Sequence, residues 1–288
     1  MNENRQLKKL WGVIRIEYYN EKVAIVTGGA SGIGKALCLE LARLGTNVVI
    51  ADMQEVQAKQ TTEDIIKNGG KADYIRVDVS SETDVQQLVE DTVHKYGKID
   101  FIFNNAGIAI GGDVRDLTID QWKKVMDVNW NGVLYGSTIT YKVMAKQGFG
   151  HIVNTASATG LMPQPGNAPY CASKHAVVGL SLSLRHEGSD LGVKVSTVCP
   201  GHVQTDIYKN MTIANVNNER MVASLPTASM HTKEAVDIIL SGVKNNLEII
   251  IFPNSVRWAW RLHRWFPRLL DKAWIEKIRN IRKLKQDN

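Results

Sequence analysis

The sequence predicts an α/β fold: a single doubly wound parallel sheet of about seven strands with helices on both faces. Three observations predict it. Short apolar runs alternate with helical periods along most of the chain, a pattern that pairs strands in parallel and sends each crossover helix to a face of the sheet. The first apolar run ends in a glycine-rich turn that opens a helix. No internal repeat or linker-like stretch divides the 288 residues, a length that one core can still organise.

The elements follow in order. Val23-Ala24-Ile25-Val26 is a buried-strand run, and after the glycines a helical pattern passes through Ala36, Leu37, Leu41 and Leu44 until Gly45 stops it. Asn47 to Ala51 forms a second strand that ends at Asp52 and completes one βαβ unit. A helix near 54–68, a strand near 72–77, a helix near 82–96 and a strand from Ile99 to Phe103 come next. A long helix near 118–146 leads to the strand His151 to Thr155, and a helix from about Pro169 leads to Val193 to Val198. A helix near 232–244 precedes the last strand, Glu248 to Phe252. Between Val203 and His231 there is no clear period; so long a connection is either a functional lid or mobile. The expected organisation is an N-terminal extension over 1–21, an α/β domain over 22–252 with a lid at about 203–231, and a tail over 253–288.

Composition, 44% hydrophobic and 22% charged, excludes disordered, collagen-like and fully membrane-embedded classes. Cys38, Cys171 and Cys199 are an odd set without metal-ligand spacing, so neither a disulfide framework nor a metal site is expected and the chain reads as cytoplasmic. Lys8 and Lys9 precede an apolar stretch that Arg15 and Glu17 break too early for a secretory core or a membrane span. From Arg257 onward ten basic residues face three acids, a local +7 against a formal total of +6, so the rest of the chain sums to −1. The basic character belongs to the tail, and nucleic-acid binding is not expected.

The turn Thr27-Gly28-Gly29-Ala30-Ser31-Gly32-Ile33-Gly34 follows the first strand. Glycines there allow a tight turn, let the backbone approach a pyrophosphate, and set that phosphate at a helix N-terminus whose free amides favour negative charge. Asp52, about twenty residues on, is placed to accept from adenosine ribose hydroxyls and would repel a 2′-phosphate, which favours NAD over NADP. Neither Ser31 nor Met53 offers a compensating cation, although Lys35 is close in sequence. A structural turn and a solvated acid are the plainer readings. Tyr170 and Lys174 stand four apart and so share a helix face, with Ser157 thirteen residues upstream, just beyond a strand end.

With these residues the chain resembles the short-chain dehydrogenase/reductase family, from about Lys22 to Phe252. The resemblance rests on Thr27–Gly34, Asp78-Val79, Asn104-Asn105-Ala106-Gly107, Asn129, Ser157, Tyr170 with Lys174, and Pro200-Gly201 with Thr205. It implies a Rossmann fold that binds NAD through Gly28, Ser31, Gly32, Ile33 and Gly34 and through Asp52. Asp78 and Val79 would meet adenine, and Asn105, Ala106 and Gly107 would pass the adenosine side. Pro200, Gly201, Val203 and Thr205 would bound the nicotinamide. Asn129, Ser157, Tyr170 and Lys174 would be the catalytic group, with Asn129 holding a water that links Lys174 to solvent; as a buried helical asparagine it could equally be satisfied by backbone. An isolated tyrosine, with a pKa of about 10, is a poor base at neutral pH. Lys174 would favour tyrosinate and bond the nicotinamide ribose, while Ser157 would polarise the substrate oxygen. A homotetramer or homodimer, built partly through helices near 118–146 and 169–190, is implied too. The expected activity is interconversion of a secondary alcohol and a ketone; a 3-oxoacyl thioester reductase and a non-catalytic NAD-binding scaffold or redox sensor are the alternatives.

Thr159, Leu161, Met162, Pro163, Gln164 and Pro165, with Met211, Ile213, Met221, Val222 and Leu225 of the lid, would make an apolar pocket for a sterol-like, fatty or cyclic substrate. His202, Cys171 and Cys199 are expected to line it rather than to react. In the tail, Arg257, Arg261, Arg264, Arg268 and Lys272 form a basic helical stripe beside an apolar one of Trp258, Leu262, Trp265, Leu269 and Ala273, with a kink or restart at Pro267. Such a helix packs on its own subunit or a partner's, lies on an anionic membrane surface, or serves as a substrate lid or a contact for an acidic partner. Leu10, Trp11, Val13 and Ile14 would join the same surface.

Overall fold

The computed structural model describes residues 16–205, 207, 211–215 and 229–283. Its strands are β1 (Val23–Thr27), β2 (Asn47–Asp52), β3 (Lys71–Arg76), β4 (Phe101–Asn104), β5 (Ile110–Gly111), β6 (Gly150–Thr155), β7 (Val193–Pro200), β8 (Thr212–Ile213) and β9 (Ile249–Phe252). Seven of them form one parallel sheet in the order β3-β2-β1-β4-β6-β7-β9, and β5 pairs with β8 apart from it. The helices are α1 (Gly32–Arg43), α2 (Glu55–Lys67), α3 (Glu82–Tyr96), α4 (Ile119–Met126), α5 (Gly132–Gln147), α6 (Ala168–Glu187), α7 (Thr232–Lys244), α8 (Asn254–Trp265) and α9 (Asp271–Lys283). β1 pairs with β2 on one side and β4 on the other, so the chain order reverses there and the carboxyl ends of these strands open a crevice.

The strands read as unbroken apolar runs because both faces of the sheet are covered. Ala24, Val26, Val48, Ile50, Phe101 and Phe103 pack with residues of α1, α2 and α7 on one face. Ile25, Val49, Ala51 and Ile102 pack with α3, α5 and α6 on the other. Local chemistry sets the helix ends. Ser81 accepts the Asp84 N–H at 3.2 Å to open α3, and Gly97, at φ +73°, closes it. Thr118 and Gln121 make a reciprocal capping box at the start of α4.

The continuous helix expected over 118–146 is divided. A π-helical turn at Asp127–Asn131 separates α4 from α5, an insertion of the backbone ladder that leaves the apolar spacing almost unchanged. The strand expected at Ile99 begins at Phe101; just before it, the Asp100 carboxylate accepts the Val23 N–H at 2.9 Å and the Asp100 N–H donates to the Val23 carbonyl at 3.0 Å. In the tail, Pro267 begins a short 3₁₀ turn between α8 and α9, as its kink predicts. Met221, Val222, Leu225 and the N-terminal Leu10, Trp11, Val13 and Ile14 lie outside the described residues. Among the described residues, no helix is long and apolar enough to cross a membrane.

A buried polar network fastens the sheet to its helices beneath the crevice. Asn104 of β4 donates to Asn154 of β6 at 2.8 Å and to Ser137 of α5 at 3.2 Å, and Asn154 donates to Ser181 of α6 at 3.0 Å. All four side chains are buried, and each hydrogen bond is strong where water cannot compete. Replacing Asn154 with Ala strands the partners on β4 and α6, and an unmade buried hydrogen bond costs about 1–3 kcal/mol per group. Asn154→Ala is therefore expected to lower stability by about 2–4 kcal/mol. Urea unfolding should show a lower midpoint at unchanged slope; an unchanged midpoint would refute the account.

Candidate active site

The strand ends, the glycine turn and the first turn of α6 surround one cleft of about 460 Å³. At one end lies the turn from β1 to α1. Gly28 has φ +66°, and a Cβ there would sit 2.8 Å from the Ala106 Cα, so the turn closes on the β4 exit only without a side chain. Thr27 ties the same two segments, its Oγ1 accepting from the N–H groups of Asn105 at 3.0 Å and Ala106 at 3.1 Å. The Asn105 amide donates to the Thr27 carbonyl at 3.2 Å. Ser31 precedes α1 without capping it, and no acid occupies the first helical turn. The helix therefore presents free amides and the positive end of its dipole to the cleft, which suits a pyrophosphate.

Asp52 ends β2 and lines the cleft while only 8% exposed. Its carboxylate accepts from the Ala30 N–H and the Gln54 N–H, both at 2.9 Å, which fixes both oxygens. Each oxygen keeps a further lone pair for a hydroxyl donor. Asp78 also lines the cleft, with Oδ1 engaged by the Ser80 N–H at 2.9 Å and by the Ser80 hydroxyl at 2.7 Å.

Ser157, Tyr170 and Lys174 meet at the other end. Ser157 follows β6 and accepts the Thr159 N–H at 3.2 Å. Lys174 lies one helical turn beyond Tyr170, its ammonium 5.6 Å from the tyrosine ring centroid and donating to the Thr155 carbonyl at 2.8 Å. At 2% exposure the ammonium has almost no water, and burial brings it down to about 8. Cys199, buried behind it, has its thiol pushed up to about 12 by the same desolvation. Pro200, Gly201, Val203 and Thr205 complete the wall, and Thr205 faces Gly32 across the cleft.

Of the residues singled out in the sequence, Gly28, Ser31, Gly32, Ile33, Asp52, Asp78, Val79, Asn105, Ala106, Gly107, Ser157, Tyr170, Lys174, Pro200, Gly201, Val203 and Thr205 all border this cleft. Two do not. Gly34 lies beneath the turn, where a side chain would run into the Gly28 carbonyl, so it packs the helix on the turn. Asn129 is fully buried in the π-helical turn: its oxygen accepts the Ile108 N–H at 2.8 Å, and its amide donates to the Ile108 carbonyl at 2.9 Å and to the Ser173 hydroxyl at 3.3 Å. The side chain is thus satisfied by protein groups.

Met211 and Ile213 are not part of the wall either; they bury themselves against Ile281 of α9. The wall instead includes Met53, Ile108, Ala109, Lys124, Val128 and Thr155. Ala109 and Thr155 could have been found from their places beside the quoted motifs. Nothing in the sequence points to Lys124. Among the described residues no group of three or more His, Cys, Asp or Glu side chains could hold a metal ion.

The comparisons with known proteins bear on the family and the fold. The family model of the short chain dehydrogenases matches residues 22–215. A 3-oxoacyl-[acyl-carrier-protein] reductase of Synechocystis is 36% identical over 216 residues, covering 75% of this chain and 85% of that protein. A 3beta-hydroxysteroid dehydrogenase of Eggerthella lenta is 37% identical over 192 residues, covering 66% of this chain and 74% of that one. A short-chain dehydrogenase/reductase from Burkholderia phymatum, solved in complex with NAD, superposes with a TM-score of 0.81 at 28% identity over 87% of this chain and 95% of its own. The chain belongs to the short-chain dehydrogenases, a family of oxidoreductases that bind a nicotinamide cofactor.

Proposed function

We propose that this protein is an NAD-dependent dehydrogenase that interconverts a secondary alcohol and a ketone on a hydrophobic, sterol-like, fatty or cyclic substrate. The observation that carries the reading is the buried Lys174 ammonium, held between the Thr155 carbonyl and the Tyr170 ring beside Ser157, in the same cleft as Asp52. When bound, the nicotinamide supplies or takes the hydride. In ketone reduction Ser157 donates a hydrogen bond to the carbonyl oxygen, and Tyr170 delivers the proton to that oxygen; in alcohol oxidation Tyr170 removes it. Lys174 stabilises the deprotonated tyrosine by its charge and would bond the nicotinamide ribose when the cofactor is bound. Asn129 is a positioning residue: through Ile108 it fixes the segment that passes Lys174 at Gly107.

Asp52 supports NAD. It offers fixed carboxylate oxygens to ribose hydroxyls and a like charge to a 2′-phosphate. Arg76 is its neighbour by strand register but takes no part in the wall of the cleft. The apolar Ile108, Ala109 and Ile207 support a hydrophobic substrate, as does the similarity to a hydroxysteroid dehydrogenase. Reduction of a 3-oxoacyl thioester is the second reading, favoured by the similarity to the Synechocystis reductase. The same proposal carries a homo-oligomer built partly through α5 and α6.

Three outcomes follow from these roles. Tyr170→Phe should lower turnover by about 10²–10⁴-fold, the usual contribution of a positioned acid or base. NAD affinity, read by calorimetry, should stay within about threefold of wild type, since the ring and the wall remain; retained turnover on a panel of sterols, cyclic alcohols and 3-hydroxyacyl thioesters would defeat the assignment. Asp52→Asn removes the charge and keeps an acceptor, so the ratio of kcat/KM for NAD over NADP should drop by about tenfold or more, the scale of one charge-assisted hydrogen bond. An unchanged ratio would place cofactor choice elsewhere. The Lys174 charge is present below about pH 8 and lost above it. Ketone reduction, which needs that cation while Tyr170 gives up its proton, should therefore decline as pH rises through about 8. A rate constant flat to pH 10 would show that the cation has no part in the step.

A further inference from the structure

Helix α8 turns outward the side chains that a globular helix ordinarily buries. Its inner edge, Val256 and Trp260, packs on the cluster around Val133, Val177 and Ile251. The opposite face carries Trp258, Leu262 and Trp265, continued by Phe266 and Leu269, with exposures of 65, 40, 79, 62 and 61%. Steps of four and three place most of them in one stripe. Arg261, Arg264 and Arg268 border it, and the Arg261 guanidinium lies 5.2 Å from the Trp258 ring. From Ile249 to Leu270 there is no acidic residue.

We propose that this face docks the protein on an anionic lipid bilayer, the aromatic and leucine side chains entering the boundary between headgroups and acyl chains and the arginines binding lipid phosphates. An apolar stripe bordered by arginines matches that interface on both counts, since indole rings favour it and guanidinium groups bind phosphate while their stems cover apolar surface. A second copy of this chain is a poorer fit. A two-fold contact through this face would oppose the same arginine row to itself without one acid in the stretch to answer it. Nucleic acid fits poorly as well, because the chain before Arg257 sums to −1 and carries no excess of basic residues to extend the contact.

The docking face is joined to the cleft side of the molecule. His263 of α8 meets the Trp274 ring of α9 edge-on at 5.1 Å. Ile281 of α9 is buried with Met211 and Ile213, and Arg282 binds Asp113 at 2.7 Å, beside the β5–β8 pair. A bilayer under α8 would thus be close to where a hydrophobic substrate partitions. The docking itself does not depend on the catalytic reading.

The test uses the full-length protein with sedimented vesicles of phosphatidylcholine alone or mixed with phosphatidylglycerol. Binding to the anionic vesicles should be at least about tenfold tighter than to neutral ones and should weaken in high salt. Tryptophan emission should shift to the blue on binding, with quenching by brominated acyl chains. The double variant Trp258→Ser with Trp265→Ser, and separately Arg261→Glu with Arg264→Glu, should each reduce binding by about tenfold or more while circular dichroism and Tm stay unchanged, because these side chains are exposed. No binding to anionic vesicles, or binding that both variants leave intact, overturns the proposal. So does sedimentation equilibrium in which the tryptophan variant dissociates an oligomer, since a second copy would then be the occupant.

Discussion

An ammonium with almost no access to water is the constraint around which this site is built. Removing such a charge from water is strongly unfavourable unless the protein supplies partners. Lys174 finds a carbonyl at the end of β6 and the face of an aromatic ring. To use the first, α6 must begin against the carboxyl end of β6, and it approaches so closely that a Cβ at Gly160 would lie 2.6 Å from the Lys174 carbonyl. The β4–β5 connection passes beside it at an ordinary contact distance, a Cβ built at Gly107 lying 3.5 Å from the ammonium. Sheet order, helix docking and the close approach at Gly160 meet at this one cation.

The two charges that define the ends of the cleft do not pair with each other. Asp52 is held by main-chain amides and Lys174 by a main-chain carbonyl. Backbone groups in a sheet and its turns cannot swing away as side chains do, so both charges are fixed before any ligand arrives. That leaves an anion-accepting helix terminus between a carboxylate at one end and a cation at the other. Such a distribution suits an extended ligand with hydroxyls at one end, phosphates in the middle and a reacting group beyond. Beneath it, Asn104 and Asn154 keep β4 and β6 in register, so the two ends are held at a set separation by buried hydrogen bonds.

Much of this was legible in the sequence, for identifiable reasons. The helices at Glu82–Tyr96 and Thr232–Lys244 carry clear apolar periods, and the strands are runs that both faces bury. Glycines forced by close approach, and side chains at strand ends, leave local marks. What was hidden depends on partners distant in the chain. The π-helical turn at Asp127–Asn131 leaves the side-chain pattern intact while changing the hydrogen-bond ladder. Asn129 reads as a site residue, and only the fold reveals that Ile108 takes up its amide. β5 and β8 are two residues each, too short for any period to show.

The tail shows how far periodicity reaches. Spacing predicts an apolar stripe through Trp258, Leu262, Trp265 and Leu269 but not the direction in which it points. The direction is set by two anchors. At one end, Val256 and Trp260 are seated among Val133, Val177 and Ile251, and the Arg257 guanidinium donates to the Ile251 carbonyl at 3.1 Å. At the other, Ile281 is 4% exposed against the β5–β8 pair, and Arg282 joins Arg115 on the buried Asp113 carboxylate, which these guanidinium groups hold well below the usual carboxylate range. Trp258 and Trp260 stand about half a turn apart on a helix of 3.6 residues per turn. Turning the stripe inward would therefore lift Trp260 out of its cluster and carry Val256 with it. The outward face of α8 is the consequence of where its neighbours on the same helix are buried.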